Sequence, residues 1–139
     1  MLKKAKEILV EGEYTFAAIK NDNVYTSKLH GIAPIMIKLE EDKEYLSGAV
    51  AADKVIGKAA AMLLIYGGIK ALYARTISEH ALAILQDSGI LVETDKVVPY
   101  IINRKGDGMC PMEEAVLHET DCQKAYEILK NKLEEMRKK

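Results

Sequence analysis

Three groups of polar residues interrupt apolar stretches where they could meet a small molecule. The first is Asp53, Lys54, Gly57 and Lys58, which the pattern puts at the entrance of one apolar helix over 51–66, AADKVIGKAAAMLLIY, stopped by Gly67-Gly68. Residues four apart share a helix face, so Lys54 goes with Lys58, and Asp53 with Gly57 on the adjacent face. Charge at the mouth of a buried helix must pair, cap the helix or reach a cleft. Asp53 and Lys58 are therefore read as charge or proton partners and Lys54 as a ligand contact. The alternative is an Asp53 cap with both lysines reaching water. The second group is Ser78, Glu79 and His80, after a strand and at the start of a helix, where open α/β sheets hold ligands. Ser78 also suits an N-cap, and Glu79 the positive helix end.

The third group is Ile102-Asn-Arg-Lys-Gly-Asp-Gly-Met-Cys-Pro-Met-Glu113. Pro111 fits the first helical position, which makes Cys110 the N-cap and Glu113 a capping-box residue. A thiol at a helix start, with Arg104 and Lys105 upstream, is a candidate nucleophile. Asn103, Arg104, Glu113 and the loop amides would then hold an anionic or carbonyl group. The alternative for Cys110 is an inert core cysteine.

The elements that must position these groups follow from periodicity and turn residues. Leu2, Ala5, Ile8 and Leu9 mark a helix ending near Gly12. The runs 14–20 and 24–28 flank Asn21-Asp22-Asn23 as a β-hairpin. A helix over Pro34 to Asp42 comes next, followed by the long apolar helix over 51–66, a strand over Ile69 to Thr76 and a helix over Ser78 to Asp87. Two short strands, Ile90 to Val92 and Val97 to Ile102, then precede the loop. Ala125, Tyr126, Leu129, Leu133 and Met136 give the last helix its apolar face. A single domain over 1–139 is expected, a three-layer α/β/α sandwich around a mixed sheet.

Composition excludes several roles. Twenty basic against 21 acidic residues leave a net charge of -1, so no global field draws the chain to nucleic acid. No segment reaches the length of a membrane span, and the charge-interrupted start lacks a signal-peptide core. Two isolated cysteines, Cys110 and Cys122, and three scattered histidines give neither a disulfide framework nor metal-ligand spacing. The protein is expected to be cytoplasmic and free of metal and cofactor, with an anionic small molecule as its partner. An exposed sheet edge leaves room for a homo-oligomer.

The pair of motifs DKVIGKAAAMLL and NRKGDGMCPMEE, with the order of elements around them, resembles a bacterial and archaeal family of unknown function assigned to the cytidine deaminase-like fold. The resemblance covers nearly the whole chain. It implies that three helix starts converge on one pocket, bringing Lys58, Ser78 and Cys110 together. Lys58 and Cys110 should then lie within about 10 Å across a cavity suited to one ligand. It also exposes a departure from zinc deaminases. Their His-Ala-Glu is replaced by Lys58-Ala59-Ala60, and the two thiolates of their Pro-Cys-x-x-Cys by Ser78 and Ala81. The reading that results is a metal-free enzyme or binder for a nucleotide- or nucleobase-like molecule, with Cys110 as nucleophile. A non-catalytic ligand-binding or regulatory module is the other reading.

Overall fold

A computed structural model describes residues 2–102 and 106–137. The helix α1 (Leu2–Glu11) leads into a hairpin of β1 (Phe16–Lys20) and β2 (Asn23–Ser27). Lys20 pairs with Asn23, so Asn21 and Asp22 make the turn, and Asn21 takes the positive φ of 57° that such a turn demands. The helix α2 (Ala33–Glu41) has Pro34 in its first turn, where its missing N–H costs nothing.

The expected helix over 51–66 is two elements. Residues Val50–Ile56 form the strand β3, and the helix α3 (Lys58–Gly67) begins only after Gly57, whose backbone is extended. The correction has a physical cause: a strand buried on both faces reads as a continuous apolar run, which periodicity cannot separate from a buried helix. Asp53 and Lys54 are therefore strand residues, and neither caps a helix nor shares a helix face with Gly57 or Lys58. The strand β4 (Ala71–Ser78), helix α4 (Glu79–Asp87) and strand β5 (Leu91–Val98) follow. β5 is one strand where two were expected. Its polar centre, Glu93-Thr-Asp-Lys96, is tolerated because it lies at the sheet edge and is largely exposed. Ile102 lies outside it and makes an isolated antiparallel bridge to Met109. The short helix α5 (Pro111–Ala115) and the long helix α6 (Cys122–Arg137) complete the chain.

The sheet order is β2-β1-β3-β4-β5, antiparallel across β2-β1-β3 and parallel across β3-β4-β5. This is the mixed α/β architecture expected. Its two faces are unequally covered. On one face Phe16, Ala51, Leu72, Ala74 and Ile77 pack with residues of α2, α3, α4 and α6 in the larger core. On the other, Ala17, Ile19, Val50, Ala52, Ala71 and Tyr73 pack against Ala5 and Leu9 of α1. A ten-residue helix is about 15 Å long, and it leaves the far ends of β3, β4 and β5 uncovered on that face.

Candidate functional site

Two arrangements of polar residues result, one on each face of the sheet. The first is centred on Glu113, which is 1% exposed. Its Oε2 accepts from the backbone N–H of Lys58 at 2.6 Å and from the hydroxyl of Ser78 at 2.6 Å; Oε1 accepts from the N–H of Ile101 at 2.8 Å. Lys58 is the first residue of α3, and Ser78 is the N-cap of α4, its Oγ also accepting from the Ala81 N–H at 3.1 Å. The carboxylate thus stands between the positive ends of two helices and neutralises donors that those helices leave unpaired. Gly57 makes this approach possible, because a Cβ there would lie 2.9 Å from Glu113 Oε2 and 3.0 Å from Ile101 Cγ1.

The convergence of Lys58, Ser78 and the segment after Cys110 is therefore present, and the space between them is filled from within. Glu113 does not return to its own N-cap as a capping box would; the Cys110 N–H donates to the Ile101 carbonyl at 2.7 Å instead. Cys110 is half-buried at the start of α5, and its side chain makes no cap hydrogen bond. The Lys58 side chain is buried, and its Nζ donates to the Leu117 carbonyl at 2.6 Å. Desolvation lowers its pKa, opposed by the charges of Glu119 and Glu113 and by Cys122. Glu79 and His80 are exposed in the first turn of α4. Asn103 and Arg104 lie outside the described residues. Among the described residues no three His, Cys, Asp or Glu side chains are grouped to hold a metal ion, and no helix is long and apolar enough to cross a membrane.

Asp53 lies level with Phe16 and Ala74 in the middle of β3, buried, with Oδ1 accepting from the Val55 N–H at 3.2 Å. Burial raises its carboxyl well above the ordinary carboxylate range, and the Val55 and Lys54 amides only partly oppose this. Its neighbour Lys54 faces away from the larger core, into the second arrangement.

That second arrangement arises from a break in the sheet. The β3-β4 pairing runs from Val50–Ala71 to Asp53–Ala74 and resumes at Val55–Thr76; the β4-β5 pairing stops at Ala74–Thr94 and resumes at Thr76–Lys96. The missing rungs, Lys54–Arg75 and Arg75–Asp95, lie at one level across three strands. Beyond them the alternation of faces has slipped by one residue. Ala51 and Ile56 both lie in the larger core, as do Leu72 and Ile77, whereas strict alternation would separate each pair. Two consecutive residues of each strand consequently line one cavity of about 440 Å³: Lys54 and Val55, Arg75 and Thr76, Asp95 and Lys96. An adjoining open cavity of about 320 Å³ shares Lys54 and Arg75 and is bordered by Leu9, Val10 and Glu13 at the end of α1 and by Tyr73 of β4.

The polar groups here differ in how they are engaged. The Tyr73 hydroxyl donates to Asp95 Oδ2 at 2.5 Å. Its pKa is pushed up to about 12 by burial, by this hydrogen bond and by the charge of Asp95. Lys6 covers the Tyr73 ring face at 4.7 Å. Lys54, Arg75 and Lys96 are exposed and make no ion pair within 4.0 Å among the described residues. Sequence reasoning named only Lys54 of this set. The signal in the sequence is a cation at the same level of β3 and β4, Lys54 and Arg75, with Lys96 of β5 one residue further on, which becomes legible only once β3 is seen as a strand.

Comparison with known proteins supports the fold and the family. No curated protein matches the chain. A solved DUF1893 family protein, TM1506 from Thermotoga maritima, superposes with a TM-score of 0.85 at 28% identity, over 94% of this chain and 88% of that one. RibD from Acinetobacter baumannii superposes in part, with a TM-score of 0.45 at 18% identity, over 68% of this chain and 34% of that one. A family model described as a domain of unknown function, DUF1893, matches residues 4–133, and the chain belongs to that family.

Proposed function

We propose that the protein is a non-catalytic binding module for a small anionic molecule, built on a cytidine deaminase-like arrangement. The observation that carries this reading is the set of three exposed cations, Lys54, Arg75 and Lys96, lining two adjoining cavities without an acidic partner within 4.0 Å among the described residues. Unpaired guanidinium and ammonium groups converging from neighbouring strands favour phosphate or carboxylate. The place between the starts of α3 and α4, where the expected Cys110 nucleophile would act, is instead taken by the Glu113 carboxylate with its three donors. A nucleotide-like ligand bound without turnover agrees with both features.

Backbone amide NMR of the full chain titrated with inorganic phosphate tests the reading. Shifts confined to the residues around Lys54, Arg75 and Lys96 are expected. Shifts concentrated at Lys58, Ser78 and Cys110, or none at saturating phosphate, would overturn it.

A further inference from the structure

The two cavities are chemically unlike, and their difference specifies more than an anion. The cavity over β3, β4 and β5 sets three cations against one carboxylate, Asp95, and that carboxylate already accepts the Tyr73 hydroxyl. The Thr76 side chain adds a hydroxyl to the same wall. Neighbouring strands lie about 4.8 Å apart, so the cations span roughly 10 Å, a reach suited to one multiply charged group. The adjoining cavity is bordered by Leu9, Val10 and Tyr73; Leu9 and Tyr73 are each 2% exposed, so its accessible apolar surface is that of Val10, which is 62% exposed. Its acidic group is Glu13, held with a positive φ of 55° just past the end of α1. A helix ends with partial negative charge, and α1 has no basic residue in its last turn to offset it. Glu13 thus gives this side a hydrogen-bond acceptor beside an apolar residue, and an apolar ring carrying a hydrogen-bond donor fits there. Lys54 and Arg75 line both cavities and join the two compartments.

Resting on the anion-binding reading above, we infer that the groove takes a phosphate monoester whose alcohol is an apolar ring with a hydrogen-bond donor. The phosphate lies among Lys54, Arg75, Thr76 and Lys96; the ring lies against Val10, with its donor towards Glu13.

Calorimetric titration of the full chain with inorganic phosphate, phenyl phosphate and 4-aminophenyl phosphate tests this directly. Phenyl phosphate should bind about tenfold more tightly than phosphate through burial of the ring, and the amino group should tighten it further. Arg75→Ala should weaken all three by about tenfold. Val10→Asn should weaken the two esters and spare phosphate, and Glu13→Gln should remove only the advantage of the amino group. Equal binding of phosphate and phenyl phosphate, with Arg75→Ala still weakening both, would overturn the two-compartment ligand and leave the anion site standing. Binding of all three unchanged by Arg75→Ala would overturn the anion site itself.

Discussion

The Glu113 centre and the Lys54–Arg75–Lys96 groove lie on opposite faces of one sheet and use polar groups in opposite ways. At the centre a buried carboxylate has three donors of its own chain within 2.8 Å. In the groove three exposed cations have no acid within 4.0 Å among the described residues. Buried polar groups must be satisfied internally, because leaving one unpaired costs far more than its hydrogen bond contributes. Exposed cations face no such demand, since water satisfies them until a ligand replaces it. The centre therefore serves stability, the groove is the place proposed for recognition, and mutations should separate the two.

The largest separation is expected from Glu113→Ala. It leaves the Lys58 and Ile101 amides and the Ser78 hydroxyl without their acceptor in a buried space, at about 1–3 kcal/mol for each stranded group. A loss of about 4 kcal/mol in urea unfolding is expected, against less than about 0.5 kcal/mol for Arg75→Ala in the groove. Similar losses from the two variants would erase the distinction. Gly57→Ala should have the next largest effect. The new Cβ would meet Glu113 Oε2 at 2.9 Å and Ile101 Cγ1 at 3.0 Å, and a carboxylate fixed by three hydrogen bonds cannot swing aside without losing them. Overpacking of this kind costs about 1–3 kcal/mol. A variant as stable as the parent would mean that Glu113 is loosely held.

Much of this was legible in the sequence, and the failures have a common origin. The hairpin, the Ser78 cap and the helix starting at Pro111 each carry a local signature, a positive-φ turn residue, a hydroxyl before a helix, a proline at its first position. Glu113 belongs to the third cluster by its place three residues after Cys110, but its partners Lys58 and Ser78 are 55 and 35 residues away, a distance over which no local motif speaks. The strand β3 was hidden because Ala-Ala-Asp-Lys-Val-Ile lacks alternation and runs into an alanine-rich helix. A helical reading of β3 sets Lys54 beside Lys58, whereas in the sheet it stands at the same level as Arg75. The groove could not be found by any reading that lost that strand.

Asp53 offers a pH test that sharpens the contrast between buried and exposed charge. Burial raises its carboxyl well above the ordinary range, so the folded chain retains a proton that the unfolded chain releases. Its contribution to stability is complete below the unfolded value of about 3.9 and is lost as pH rises through the folded value. Asp53→Asn fixes the neutral form. The variant should match the parent near about pH 3 and become the more stable of the two towards neutral pH. A difference that stays constant, or that grows on acidification, would show that burial does not govern this carboxyl.

The smallest effect concerns the two cysteines, which are both half-buried and lie beside the closed centre. The Cys122 thiol is pushed up by burial and by the adjacent charge of Asp121, and Lys58 only partly offsets this. Less of it is thiolate at neutral pH, and the thiolate is the reacting species. Cys110 stands at the start of α5 with a side chain that makes no cap hydrogen bond. Iodoacetamide at neutral pH should therefore modify Cys110 several times faster than Cys122, as read by peptide mass spectrometry over time. The gap should narrow as pH rises and Cys122 ionises. Phosphate should leave the ratio unchanged, because the groove proposed for it is on the other face of the sheet. Protection of Cys110 by phosphate would move the ligand to the Glu113 side and reverse the assignment of the two regions.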